Sequence, residues 1–325
     1  MWGRMRPGPG RRWRAPARRA RRVGRRAHWN AAALLGLLIS LVWAAAGGPA
    51  RPPAAGDRVV TVWREDLGRA VPLELETYVL GVVAAEMPAD FHVEALKAQA
   101  VAARTYVAWM ADRGGMAAGA GAVMMQADPA ADQAFVLPER AWARLGDGRW
   151  ERLRRAVRET RGQILTYEGR PILSVYHSNS GGRTEASENY WSEALPYLRS
   201  IPDPFSLGAP YDQSVVRVPL SEVWRRLGIP MGAPLRIAAR YPGGRVRTVA
   251  AGDTRISGRE VREALGLNSN WFDLTIEGET AVFTVRGNGH GVGMSQFGAQ
   301  AMALEGYTYD EILRYYYPGT RLARW

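Results

Sequence analysis

The sequence predicts an α+β fold: a single catalytic domain of antiparallel hairpins and one long amphipathic helix, preceded by an N-terminal transmembrane segment. Three observations carry that expectation. Between Val93 and Asp112 the apolar residues Leu96, Ala100, Ala103, Val107 and Met110 recur at steps of 4, 3, 4 and 3, the period of one helix face. Several β-type runs come in pairs across short turn sequences, without the regular βαβ alternation of a parallel sheet. An apolar run, Ala31–Gly47, follows an arginine-rich tail.

Residues 1–30 hold 11 arginines and no acid, and read as a basic cytoplasmic tail. Residues 31–48 (AAALLGLLISLVWAAAGG) reach the lower limit for a membrane span, about 17 apolar residues. The arginines before them orient the N-terminus to the cytoplasm and the body outside, a single-pass protein of the cell membrane. The alternative is a cleaved signal peptide with its site at Ala44–Ala46, which makes the body secreted. No cysteine follows, so a lipoprotein is excluded. Residues 49–57 form a Pro/Gly/Ala linker, and 58–325 the folded domain.

Within the domain, Arg58–Trp63 reads as a strand and Val71–Leu75 as a second approach to structure. Glu76–Glu86 is a helix that Pro88 cannot continue, and Val93–Asp112 is the long helix. Gly114–Gly121 is a flexible loop, and Pro138–Thr160 an amphipathic, arginine-rich helix with a solvated charged face. Gln163–His177 holds two β-runs, QILTYEG and PILSVYH, turning at Glu168-Gly169. Ser178–Glu188 (SNSGGRTEASE) is a polar loop. SEVWRRLG is a short helix, and RIAARY and RVRTVAA pair across Pro-Gly-Gly. Ser257 with Glu260 caps a helix to Leu265. Phe272–Ile276 and Ala281–Arg286 form a last hairpin, which delivers the chain into a glycine loop. Ser295–Leu304 is a helix, and Thr308 with Glu311 caps the final helix, which ends before Pro318-Gly319.

Composition narrows the classes. The net charge is +12, but removing the 11 tail arginines from the 43 basic residues leaves 32 against 31 acids. The basicity belongs to the tail and gives no reason to expect the body to bind nucleic acid, so no nucleic-acid partner is expected. Cysteine is absent, which excludes disulfides and thiolate metal sites.

Arg286–Gln300 reads RGNGHGVGMSQFGAQ. Gly287, Gly289, Gly291 and Gly293 alternate with small or polar residues around His290, and a helix follows from Ser295. Glycines at this density let the backbone approach a ligand closely, and the helix start points free N–H groups into the same space. The expected polar contacts are His290, Ser295 and Gln296.

Four ordered segments, spread over the domain, carry a family resemblance. They are PLELETYVLGVVAAEMPADFHVEALKAQAVAARTYV (72–107), VYHSNSGGRTEASE (175–188), PYLRSIPDP (196–204) and GNGHGVGMSQFGAQAMALEGYTYDEILRYYYPGT (287–320). With SGREVREALGL and NWFDL between them, the domain resembles the stage II sporulation protein D family, which includes amidase enhancer proteins. The resemblance implies a peptidoglycan lytic transglycosylase that cuts the MurNAc–GlcNAc bond without water and leaves a 1,6-anhydro end. It implies a preference for glycan strands stripped of stem peptides. It also implies a partner cell-wall amidase resembling stage II sporulation protein P, and no cofactor. The family's catalytic glutamate lies in A-A-E-M-P, here Glu86. Some members hold zinc through a histidine and two cysteines after the long helix; 114–135 contains neither residue type, so no metal is expected.

The chemistry agrees with one carboxylate. Most glycosidases need two; a lytic transglycosylase uses the sugar's own C6 hydroxyl as nucleophile, so one glutamate serves as acid and then base. Ala84, Ala85 and Met87 give Glu86 apolar neighbours that raise its pKa. The remaining substrate-binding candidates are Arg104, His177, Ser178, Asn179 and Ser180. Arg104 has two readings: a cleft residue holding saccharide or Glu86, or a surface ion pair with Glu94 or Glu76. Glu94 offsets a helix dipole, while Glu185 and Glu188 line the groove or are solvated. Tyr190, Trp191 and Tyr317 are candidates to stack on pyranose faces, while Tyr106 and Tyr316 read as core. The rival reading is a non-catalytic wall-binding enhancer of a partner amidase; a purely structural scaffold leaves the glycine loop without a purpose.

Overall fold

A computed structural model describes residues 58–64, 67–114, 123–126 and 133–325. The predicted tail, membrane segment and linker, residues 1–57, lie outside the described residues. Among the described residues no helix is long and apolar enough to cross a membrane. The domain is mixed α+β with mainly antiparallel sheets.

Strands β1 (Val59–Arg64) and β2 (Arg69–Glu74) form an antiparallel pair, to which β3 (Val123–Gln126) adds in parallel. Helix α1 (Leu75–Glu86) follows directly, with the Glu74 carboxylate accepting the Thr77 N–H at 2.9 Å as its cap. Helix α2 (Val93–Asp112) is the centre of the domain. It carries the predicted stripe, yet Ala95, Ala98, Val101, Ala102 and Ala108 are buried as well. Its small side chains let helices and sheet close on it from several sides, so it is a core helix rather than a one-faced amphipathic one.

The single helix expected over Pro138–Thr160 is two: α3 (Pro138–Leu145) and α4 (Asp147–Glu159). The break is Gly146, whose φ of 75° no helix accommodates. Strand β4 (Gln163–Tyr167) turns at Glu168 (φ 51°) and Gly169 (φ 79°) into the short β5 (Arg170–Pro171), as predicted for a two-residue hairpin. The second run then departs from expectation. Only Tyr176–His177 (β6) is strand, and it pairs elsewhere.

The segment from 213 to 286 builds its own core. Strands β7 (Gln213–Pro219), β11 (Phe272–Glu277) and β12 (Thr280–Arg286) make one antiparallel sheet. Strands β8 (Leu235–Arg240), β9 (Val246–Ala251) and β10 (Thr254–Ser257) make another. Helices α6 (Leu220–Leu227) and α7 (Gly258–Leu265) seal Val223, Val249, Val261, Phe272 and Phe283 between them; α5 (Ser187–Tyr190) precedes this segment. The capping box of Ser257 and Glu260 is present.

The chain returns through β13 (Met294–Ser295), α8 (Gln296–Leu304), α9 (Tyr309–Tyr316) and β14 (Arg321–Arg324). Strand β13 pairs in parallel with β6, setting Met294 beside Tyr176 and Ser295 beside His177. This short ladder joins the polar loop, the glycine loop and the start of α8.

Candidate active site

Glu86 is the last residue of α1. The helix closes with the Met87 N–H on the Val83 carbonyl, and Pro88 prevents a further turn. The half-buried carboxylate accepts the Ala134 N–H at 2.7 Å. Two side chains from later in the chain act on it as well: the Gln296 amide at the start of α8 and the Tyr176 hydroxyl on β6. Burial raises its pKa above the usual 4.5, against the downward pull of the Ala134 hydrogen bond and of the nearby Gln296 and Tyr176 side chains. Behind them stand two more amides. Tyr176 donates to Gln133 Oε1 at 3.0 Å, and Gln296 Nε2 lies 3.5 Å from Gln99 Oε1.

Among the described residues the groups closest to it are neutral, surroundings in which a carboxyl can hold and release a proton.

The four loop glycines all have positive φ: 71°, 107°, 82° and 72° for Gly287, Gly289, Gly291 and Gly293. Their close approach is to the protein itself. A Cβ at Gly287 would lie 2.6 Å from the Asn179 carbonyl and one at Gly289 2.7 Å from the His177 Cβ. At Gly291 it would meet the Arg245 guanidinium at 2.2 Å, and at Gly293 the Val175 carbonyl at 2.0 Å. The expectation that these glycines admit a ligand is therefore corrected: they let the loop lie on 175–181 and against Arg245.

Several predicted substrate contacts prove internal. Asn179 is buried, with its amide on the Ser206 and Pro210 carbonyls (both 3.0 Å) and its oxygen on the Gly181 N–H (2.7 Å). Buried Ser180 donates to Asp203 at 2.6 Å. Ser295 caps α8 through the Gly298 N–H at 3.1 Å, and Ser178 contributes its carbonyl to the Phe297 N–H at 3.0 Å. Arg104 pairs with Glu76, but not at the surface: fully buried, it bridges both Glu76 oxygens at 2.9 and 2.6 Å and touches the Gln163 carbonyl. Glu94 bonds Lys97 and Tyr309, and Glu188 pairs with Arg199. Glu185 is neither groove-lining nor solvated but buried, accepting from Ala186 and Asn189. Tyr316 and Tyr317 are core, bonding Asp203 and the Val175 carbonyl. Tyr106 is half-buried against Trp109.

The two histidines do meet, with rings 5.6 Å apart. Both use Val292. His177 Nδ1 donates to its carbonyl (3.1 Å), and His290 Nδ1 accepts its N–H (3.0 Å), which fixes opposite tautomers. Burial, with Arg262 and Arg245 nearby, pulls His290 down to about 3; burial and His290 depress His177 strongly. Tyr190 and Trp191 pack on the His290 ring at 5.5 and 5.4 Å. Adjacent strand residues point to opposite faces, so Tyr176 addresses Glu86 while His177 joins this neutral cluster. Neither histidine is among the groups acting on Glu86.

The sequence reading missed Tyr176, Gln99, Gln133 and the Ala134 N–H. Nothing in their spacing marks them.

A family model described as stage II sporulation protein matches residues 64–167. The chain is 39% identical over 258 residues to stage II sporulation protein D of Bacillus subtilis (strain 168), covering 77% of this chain and 75% of that protein. It is 36% identical over 274 residues to stage II sporulation protein D of Bacillus amyloliquefaciens, covering 81% and 78%. A protein named amidase enhancer from Bacillus subtilis (strain 168) is 28% identical over 302 residues, covering 74% of this chain and 40% of that protein.

Proposed function

The chain belongs to the stage II sporulation protein D family, and from that premise we propose that it is a lytic transglycosylase of peptidoglycan. Its substrate is the glycan strand freed of stem peptides, and Glu86 is its single acid and base. The observation that carries the reading is the Glu86 carboxyl: its pKa is raised by burial, and its neighbours at the end of α1 are neutral amide and phenol groups.

In the first step protonated Glu86 gives its proton to the glycosidic oxygen, and the C1–O bond breaks toward an oxocarbenium ion. The GlcNAc leaves with a free 4-hydroxyl. In the second step the MurNAc C6 hydroxyl attacks C1, and its proton passes to the Glu86 carboxylate. The product is the 1,6-anhydro sugar, and the enzyme returns to its starting protonation. The intramolecular hydroxyl supplies the effective concentration that an activated water would otherwise provide. Gln296 and the Ala134 N–H hold the carboxylate between the two transfers. The chain acts outside the cytoplasm at the membrane, tethered by residues 31–48.

A second reading, enhancement of a partner amidase without cleavage, draws on the relative named amidase enhancer. The test is incubation of the purified chain with stripped glycan and mass analysis of the products. Anhydro-ended fragments support the first reading; glycan binding with amidase stimulation and no anhydro product supports the second.

A further inference from the structure

Among the described residues only two that are not glycine have positive φ: Glu168 and Tyr211. Glu168 lies in the two-residue turn between β4 and β5, where positive φ is required. Tyr211, at φ 66°, is different. It is the third residue of the turn Ala209–Pro210–Tyr211–Asp212, closed by the Asp212 N–H on the Ala209 carbonyl at 3.1 Å. A Pro-led turn with positive φ at this position calls for glycine or asparagine. A bulky aromatic there is a strained choice.

The strain is held from both sides. Asn179 Nδ2 donates to the Pro210 carbonyl at 3.0 Å, and the Gly287 N–H donates to the Asp212 carbonyl at 2.9 Å. The Asp212 carboxylate also accepts the Gly208 N–H at 2.9 Å. The polar loop and the glycine loop, which read as substrate contacts in the sequence, thus grip the backbone on either side of Tyr211.

The ring that this arrangement presents is 42% exposed. Its centroid lies 6.2 Å from that of Phe297, and Phe297 lies 5.3 Å from Phe91 in an edge contact. Phe297 follows Gln296, which acts on the Glu86 pKa, and Phe91 follows Glu86 by five residues. Beyond Phe91 an open groove of about 490 Å³ continues past His92, Gln300 and Leu304. An aromatic run therefore joins the exposed Tyr211 face to the chain segments that carry Gln296 and Glu86.

We propose that Tyr211 is a sugar-stacking platform of the glycan groove, taking the apolar face of a pyranose along the strand from the bond held at Glu86. A pyranose offers C–H groups on one face, and a tyrosine ring offers a broad apolar surface with little entropy to lose. Glycine at 211 would relax the turn; a function in the ring explains why tyrosine occupies a position that does not suit it. This inference rests on the glycan-cleaving reading.

The test uses the full chain carrying Glu86→Gln, so that bound glycan is not consumed, with stripped glycan strands as the probe. Tyr211→Gly is expected to raise the melting temperature by roughly 2–4 °C through relief of strain. It is expected to weaken glycan binding about tenfold. Tyr211→Phe keeps binding within about twofold of the parent, since the ring face is retained. Unchanged binding in Tyr211→Gly overturns the proposal. So does weaker binding with a lowered melting temperature, which would make the ring an anchor of its turn. If the parent chain binds no stripped glycan, the proposed function itself fails, and the role of Tyr211 fails with it.

Discussion

The Gln296 side chain acts on the Glu86 carboxylate and lowers its pKa, bringing the first turn of α8 to the last residue of α1. The two segments are distant in the chain and meet because β13 lies beside β6, which also aims Tyr176 at the same carboxylate. Gln296→Ala should therefore change the titration of Glu86 more than it changes the fold. Losing a donor to the ionised form raises the carboxyl pKa further. The alkaline limb of kcat/KM for glycan cleavage moves to higher pH, with a loss of rate of about tenfold. A pH–rate profile checks this.

Burial of Glu86 also costs stability. Its folded-state pKa is raised, so its favourable contribution is fully present below the ordinary carboxylate pKa and is lost as pH rises through the raised value. Glu86→Gln should therefore melt higher than the parent at pH 7 and converge with it in acid. Thermal melts between pH 4 and 8 give the comparison.

The histidine pair has the opposite sign. His290 is held down to about 3, so its contribution is present above the unfolded value of about 6.5 and is lost as pH falls from there toward 3. Acid melts should show the melting temperature falling over that window, and His290→Asn should flatten the fall. Activity should show no histidine-like limb near pH 6.5.

Arg104 is a matter of folding. It is fully buried and doubly bonded to Glu76. Arg104→Ala leaves Glu76 without its partner and should cost about 3–5 kcal/mol of stability. Denaturant unfolding measures this, and the double variant with Glu76→Gln should recover part of the loss.

Gly293→Ala should be damaging without touching the site. At φ 72° its Cβ would press on the Val175 carbonyl beside the β6–β13 ladder. The expected cost is roughly 2–4 kcal/mol from strain and overpacking together, read from the same unfolding curves.

The fold was partly legible in the sequence because helices and hairpins are local. The α2 stripe, the Glu168-Gly169 turn and the Ser257–Glu260 capping box each announce themselves within a few residues. Strands β3, β7 and β14 carry no such sign, since their partners β1, β12 and β4 lie far along the chain. The site divides in the same way. Glu86 stood out through its motif and the helix stop at Pro88. Asn179, Ser180 and Ser295 misled, because polar residues in glycine-rich stretches read as exposed, whereas here they satisfy buried backbone groups. Tyr176 and Gln133 have no local pattern at all; only the assembled fold turns them toward a carboxylate.

The central claim is that Glu86 alone moves both protons of a cleavage that consumes no water. Its most direct test is the mass of the products that parent and Glu86→Gln chains release from stripped glycan strands. The account predicts fragments ending in 1,6-anhydro MurNAc from the parent, and a loss of at least about a hundredfold in the folded variant. Anhydro fragments released by the variant at the parent's rate, or hydrolysed reducing ends from the parent, would contradict it.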